Sequence, residues 1–449
     1  MSRKPLGILL VALAAISVGL VPALASEREG DAPRHPVVAA RPPMGWSSWS
    51  ALRGHIDEAT IEAEATAMHD SLRRHGYVYV NIDSGWTDHS DDFGRATWDA
   101  IKFPHGIPAV ADFVHHLGLK LGIYLQPGIY KSVVAANTPI LGTPFHAQDI
   151  ADTTHEGNTL GTGAHAAWRI DYGRPGAESY VQSQADLYAS WGVDYIKMDF
   201  VAPGGGNVTQ NVDDQADIEH WHYALQNTGR PIHLELSNSM SFAAVNTWKS
   251  FSNGWRIEGD VECYSRCPGF LTNFDLRIAR RFTDVVKWIP YASPGGWNDL
   301  DSLEVGNGDR EGLTPDERQT TMTLWAIEAA PLLLGTDLRN LDPQDLRLLT
   351  DDEVIAVDQA GLPARPLSQA TPQQVWFSKE RQGSFVVALF NLGTAESAVS
   401  VSWSDLGLTR SASVRDLWSH GKVAGNVAGF SATLAPHASR LLRVTPGED

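Results

Sequence analysis

The chain has 449 residues, more than one ordinary domain holds, and its 43% hydrophobic and 20% charged residues suffice for a full globular core. The formal net charge is −18, and losing a leader that carries Arg3 and Lys4 makes it more negative still, which argues against nucleic acid or an anionic membrane as a partner. The 15 Trp and 11 Tyr suit stacking on the apolar faces of sugar rings, and equally suit a large aromatic core.

Ser2-Arg3-Lys4 is a short basic start, Leu6 to Leu20 is mostly apolar, and Ala23-Leu24-Ala25 is an A-x-A site before Ser26. This pattern predicts a secretory signal peptide over 1–25, too short for a membrane anchor and without a lipidation Cys. The mature protein is therefore expected to be exported and extracellular. Residues 26–38 read as a loose polar segment.

From 39 to 365, short β-like runs alternate with helix-like stretches such as Ile107 to Leu117 and Gly176 to Trp191, which predicts parallel strands with crossover helices. Polar residues gather where the runs end. Trp46 to Trp49 close the first run, Asp83 to Trp86 the second, Tyr124 to Gly128 the third and Lys197 to Asp199 the fourth. Glu235 closes the fifth, Arg256 to Asp260 the sixth, Trp297 to Asp301 the seventh and Gly335 to Asp337 the eighth. Eight functional strand ends predict a (β/α)₈ TIM barrel with its site on that face. A doubly wound open sheet would need fewer such ends and a Gly-rich fingerprint after a strand. Lys131 to about Asp171 reads as one long loop over the barrel mouth. Beyond 368, short strands without intervening helices predict a C-terminal antiparallel β-sandwich over 368–449.

Two carboxyl groups flanking one bond can hydrolyse a glycoside with retention, one attacking the anomeric carbon and the other protonating the leaving oxygen. Asp199 ends a strand with Lys197 on the same face, so a cation would keep it ionised; a plain ion pair would look the same. Asp260 follows Arg256 and Glu258, and crowding by carboxylates would raise its pKa, as an acid requires; a helix cap would also place Asp there. Asp83, Glu235, Asp299 and Asp301 are further carboxylates suited to gripping vicinal hydroxyls, and Trp49, Trp86 and Trp297 are candidate pocket walls. His residues do not cluster with these acids at ligand spacing, so no metal is expected. Cys263 and Cys267 are spaced for a local disulfide in an oxidising compartment, or remain free thiols; without a His pair they make a poor zinc site.

Several segments together resemble glycoside hydrolase family 27, the family of α-galactosidases and α-N-acetylgalactosaminidases. They are Pro42-Pro43-Met44-Gly45-Trp46, Val80-Asn81-Ile82-Asp83, Phe103-Pro104-His105-Gly106, Gly118 to Tyr124 and Trp191 to Asp199. Trp255-Arg256 with Gly259-Asp260, Gly296-Trp297-Asn298-Asp299 with Asp301, and Ala330 to Gly335 continue the order, and Val414 to Trp418 resembles the family's C-terminal domain. The resemblance implies Asp199 as nucleophile and Asp260 as acid/base. By position it also implies sugar contacts from Trp49, Asp83, Tyr124, Lys197, Glu235 and Arg256. It further implies no metal or organic cofactor, and an oligo- or polysaccharide substrate.

The departures bear on the sugar. The family's second acid after the second strand is Ser84 here, which removes a carboxylate that grips the axial O4 and O6 of galactose. The usual Asp after Tyr124 is replaced in Leu125-Gln126-Pro127, Glu235 stands in Leu234-Glu235-Leu236, and Phe200 and Glu258 also differ from the usual pattern. Glu235 fits a free 2-hydroxyl better than a 2-acetamido group. The expectation is an exo-α-galactosidase. The alternatives are a relative with another glycone, either an isomalto-dextran hydrolase or a β-L-arabinopyranosidase, and a catalytically silent carbohydrate-binding protein, against which both carboxylates speak.

Overall fold

Eight parallel strands stand side by side: Met44–Ser47, Tyr79–Ile82, Lys120–Leu125, Val193–Met198, His233–Leu236, Gly254–Arg256, Trp297–Asp299 and Leu332–Leu334. The first strand pairs with the eighth from Met44↔Leu332 to Trp46↔Leu334, and the seventh reaches the eighth through the parallel bridge Leu303↔Leu334. The ring thus closes into the expected (β/α)₈ barrel rather than an open doubly wound sheet. This computed structural model describes residues 38–158, 166–204 and 212–447, so the expected leader at 1–25 and all of the 26–38 segment except Val38 lie outside the described residues.

The strands are short and buried because helices cover their outer face and side chains fill the interior. Gly45 shows how tightly they close: a Cβ there would come within 2.2 Å of the Tyr79 carbonyl oxygen. The helix Gly106–His116 buries Ile107, Val110, Ala111 and Val114, one face of a 3.6-residue repeat. Ala177–Ser190 does the same with Tyr180, Val181, Gln184, Ala185 and Tyr188. No helix among the described residues is long and apolar enough to cross a membrane.

The stretch expected as one loop from Lys131 to Asp171 differs. It holds the helices Lys131–Ala136 and Ala147–Ile150, and two strands, Ala151–Glu156 and Ala167–Ile170, that join Ile129–Tyr130 in a three-stranded sheet. Its elements are too short to show a period in sequence. Its order comes from contacts such as Lys131 Nζ to Glu156 at 2.7 Å, with the same ammonium 4.0 Å over the Trp168 ring.

The C-terminal part is the expected antiparallel sandwich. A six-stranded sheet runs Arg365–Pro366, Gln373–Lys379, Phe385–Asn391, Ser439–Pro446, Ala412–Asp416, Gly421–Val427, and it faces the pair Ser397–Ser402 and Gly429–Leu434. Its first strand begins inside the range expected for the barrel. The barrel helix Pro315–Ile327 fixes the sandwich in place. Thr314 and Glu317 form a capping box, and Pro315 opens the first turn. Thr320 Oγ1 then donates to the His437 carbonyl at 2.7 Å, and Trp418 Nε1 donates to Thr323 Oγ1 at 3.1 Å.

Candidate active site

The C-terminal strand ends converge on one pocket of about 440 Å³, whose walls include Trp49, Asp83, Ser84, Tyr124, Lys197, Asp199, Arg256 and Asp260. They arrive from five different strand ends, which is how a barrel assembles a site from residues distant in sequence. Asp83 follows the second strand. Its Oδ2 accepts from Lys197 Nζ at 2.7 Å and from Ser47 Oγ at 3.2 Å, while the Ser84 backbone N–H bonds its Oδ1 at 2.8 Å. Burial works against the Lys197 charge, but Asp83 and Asp199 outweigh it and raise its pKa. Gln126 Nε2 donates to the Tyr124 hydroxyl at 2.7 Å.

Asp199 leaves the fourth strand on the same face as Lys197, as its spacing predicts. Its Oδ1 is buried and has no hydrogen-bond partner among the described residues. Burial raises the Asp199 pKa, and Lys197 and Arg256 pull against that rise without cancelling it. Lys197 therefore restrains the shift but spends its short contact on Asp83.

Asp260 shows the opposite of what its sequence context predicts. Burial pushes its carboxyl up, yet the Arg256 cation, the Tyr264 hydroxyl and Lys197 hold it down at about 2. Arg256 Nη2 donates to Asp260 Oδ1 at 2.6 Å and Tyr264 OH donates to Oδ2 at 2.5 Å. The crowding expected from Glu258 is absent, because Glu258 instead pairs with Arg280 at 3.0 Å. Arg256 also holds Asp301 through Nη1 at 3.1 Å.

Three other expectations are corrected. Glu235 is only 2% exposed and lies beneath the pocket rather than in its wall, with its Oε2 2.8 Å from His233 Nε2. Gly254 opposite makes that position possible, since a Cβ there would come within 2.0 Å of the Glu235 carboxylate. Burial raises the Glu235 pKa and lowers that of His233 to about 3, so it works against charge on both groups. Trp297 is fully buried at the opposite end of the barrel, where its Nε1 donates to the Ala39 carbonyl at 2.8 Å. It begins its strand, whereas the pocket gathers strand ends. Trp86 is likewise core, its Nε1 bonded to the Tyr124 carbonyl at 2.8 Å.

Sequence reasoning missed Glu262, Tyr264 and Asn238, which also line the pocket. Tyr264 sits in the 3₁₀ turn Tyr264–Arg266, flanked by Cys263 and Cys267, whose sulfurs lie at disulfide distance; the cysteine pair was the only signal that this turn is held. Trp49 Nε1 donates to the Tyr264 hydroxyl at 3.1 Å, closing a wall with Asp260. Carboxylate oxygens of Asp260, Glu262 and Asp301 lie within 4.8 Å of one another, the one metal-compatible acidic group among the described residues. Arg256 bonds two of them and Arg53 bonds Glu262 at 3.0 Å, so guanidinium groups already meet the need for positive charge.

Below Glu262 the acids continue with Glu304 and Glu311, both almost fully buried. Burial pushes Glu311 up to about 8, although the Asn307 N–H works the other way. An unfolded Glu loses its proton near its ordinary value, and native Glu311 keeps it to about 8, so the native state binds more protons in between. Stability is thus full below the ordinary Glu range and lost as pH rises through about 8. Glu311→Gln keeps the shape without the charge. Thermal melts at pH 5 and pH 8.5 should differ less in the variant than in the parent, by roughly 2 kcal/mol in stability. An unchanged difference would mean Glu311 ionises in the native state.

Residues 41–138 and 142–360 match the family described as Alpha galactosidase A, and residues 370–444 match the Alpha galactosidase C-terminal beta sandwich domain. Alpha-galactosidase 2 of Arabidopsis thaliana is 31% identical over 91% of this chain and 90% of its own, and the alpha-galactosidase of Cyamopsis tetragonoloba is 32% identical over 90% and 86%. Among solved structures, the GH27 β-L-arabinopyranosidase of Geobacillus stearothermophilus superposes with a TM-score of 0.83 at 32% identity, covering 92% of this chain and 98% of that one. Alpha-galactosidase I of Mortierella vinacea gives 0.72 at 28% identity, covering 91% and 99%.

Proposed function

The chain belongs to glycoside hydrolase family 27, the α-galactosidase family, and from that premise we propose that it is a secreted, retaining exo-α-galactosidase with Asp199 as nucleophile and Asp260 as general acid/base. The observation that carries this reading is the meeting of these two carboxylates in one pocket at the barrel's C-terminal face. Export rests on the leader read at 1–25.

In the first step Asp199 attacks the anomeric carbon while Asp260 gives its proton to the glycosidic oxygen, so the bond to the aglycone breaks and a glycosyl ester forms on Asp199. In the second, Asp260 takes a proton from water, which attacks the same carbon and frees the sugar with retention. Asp83, Lys197 and Arg256 present a fixed carboxylate and two cations to the sugar hydroxyls. In the empty pocket Asp260 is ionised by its contacts with Arg256 and Tyr264. A bound sugar diverts those donors to its hydroxyls and removes water, and both changes raise the carboxyl toward the protonated form the first step needs.

Ser84 favours a second reading. It lines the pocket beside Asp83 with a hydroxyl where the family has an acid, and the Geobacillus stearothermophilus relative acts on a sugar without a C6 hydroxymethyl group. The test compares p-nitrophenyl α-D-galactoside, β-L-arabinopyranoside and α-D-glucoside with an isomaltose assay on dextran. Preference for the arabinopyranoside would retire the α-galactosidase assignment. Ser84→Asp should raise kcat/KM for the galactoside relative to the arabinopyranoside by about tenfold or more, because a carboxylate regains the lost hydroxyl contacts. An unchanged ratio would mean that Ser84 does not select the glycone.

A further inference from the structure

A second large concavity lies at the other end of the barrel. Arg41 precedes the first barrel strand, Trp297 begins the seventh, and Gly361, Leu362, Pro363 and Arg365 belong to the passage into the sandwich; all of them line a groove of about 1510 Å³ closed on its far side by sandwich residues. The catalytic pocket opens at the opposite strand ends, so a molecule in this groove leaves that pocket free.

The charge of the groove runs against that of the chain. The whole protein has 35 basic and 53 acidic residues, yet this lining has six basic side chains, Arg41, Arg365, Lys379, Arg381, Arg410 and Arg443, against the single acid Glu380. Glu380 is already bound by Arg443 at 3.2 Å. Arg41, Arg365, Lys379 and Arg381 have no carboxylate partner among the described residues and are exposed. The Arg365 guanidinium lies 4.8 Å over the Phe377 ring and the Lys379 ammonium 5.7 Å over Phe385, which holds both charges along the groove wall. Like charges gathered without counter-ions repel, and an anionic ligand relieves that repulsion.

We infer that this groove binds a carboxylate-bearing polysaccharide, a uronate chain, as a non-catalytic anchoring site. Guanidinium forks match planar carboxylates in pairs, and the groove is several times larger than the catalytic pocket, so it accommodates several sugar units. The strongly negative chain as a whole repels a dense polyanion such as nucleic acid. The choice of a sugar polymer among anions rests on the glycosidase reading.

The experiment is native gel electrophoresis of the full chain through gels containing polygalacturonate, neutral galactan or polyphosphate. The triple variant Arg365→Glu, Lys379→Glu, Arg381→Glu is run beside it. Polygalacturonate should retard the parent and neutral galactan should not. The variant should bind polygalacturonate about tenfold more weakly or worse, and the parent's retardation should fade as salt rises. Melting temperature and aryl-glycoside turnover should be the same in both proteins, since none of the three residues is near the catalytic pocket. No retardation of the parent, equal retardation of the folded variant, or stronger retardation by polyphosphate would each overturn the proposal. Retardation together with an absence of any glycoside turnover would sink the glycosidase reading and leave the groove standing.

Discussion

Asp199→Asn is expected to lower kcat on every glycoside by on the order of 10⁴-fold or more while leaving the melting temperature equal or higher. The amide has the carboxylate's shape but cannot form the glycosyl ester, so the two-step route closes. The stability half follows from electrostatics: burial raises the Asp199 pKa, which means that keeping it ionised at neutral pH costs the folded state free energy. A residue whose removal destroys activity and spares or improves stability serves the reaction rather than the fold. Where no acid is needed, as in an Asp260 variant on an activated substrate, the same shift places the acid limb of kcat/KM above the ordinary carboxylate range, because only Asp199 has to be ionised. The smaller Asp199→Gly variant sharpens the assignment. With an activated α-galactoside and azide, the anion enters the space left by the carboxylate and attacks from that face, so the product should be the β-galactosyl azide. Full activity in Asp199→Asn, or an α-azide from Asp199→Gly, would remove Asp199 from the nucleophile's role.

The barrel was legible because each strand end carries its own polar residues, and the order of eight such ends survives in the chain without any knowledge of contacts. What the alternation could not show is where within a run the strand begins and ends. Trp297 and Asp301 belong to one run, yet the strand's length sends the first to the Ala39 side and the second to Arg256. Glu235 failed for a related reason: Gly254 opens a space under the floor, and only the neighbouring strand reveals it. The strand Gly421–Val427 carries no alternation in sequence, because it is an edge strand, contains Gly421 and Gly425, and exposes Val423. The charge state of Asp260 was misread because sequence proximity put Glu258 beside it, whereas Glu258 pairs with Arg280 and Tyr264 takes the place at the carboxylate.

That last correction makes Asp260 the more informative of the two carboxylates to alter. Asp260→Ala is expected to lower kcat on unactivated galactosides by about 10²- to 10⁴-fold, since the leaving oxygen then departs without a proton. Aryl galactosides with acidic leaving groups need no proton to depart. Their first step should survive, and glycosyl-enzyme should accumulate as a burst because no base activates water. Azide attacks the ester from the face where Asp260 stood, so the rescued product should be the α-galactosyl azide, the opposite anomer to that from Asp199→Gly. The pH dependence supplies an independent check. In the free protein Asp260 is held at about 2 by Arg256 and Tyr264, while burial raises Asp199, so the proton the pair retains sits mainly on Asp199. The reactive form, with that proton on Asp260 and Asp199 ionised, is then a minority of the singly protonated enzyme. The parent's kcat/KM profile should therefore be a bell that falls on the alkaline side as this one proton leaves. In Asp260→Ala acting on an activated substrate only Asp199 has to ionise, so that limb should vanish and the rate should rise to a plateau. Retention of the alkaline limb in the variant would assign the acid role to another group, with Glu262, whose raised pKa stems from burial beside Asp301 and Asp260, the next to replace.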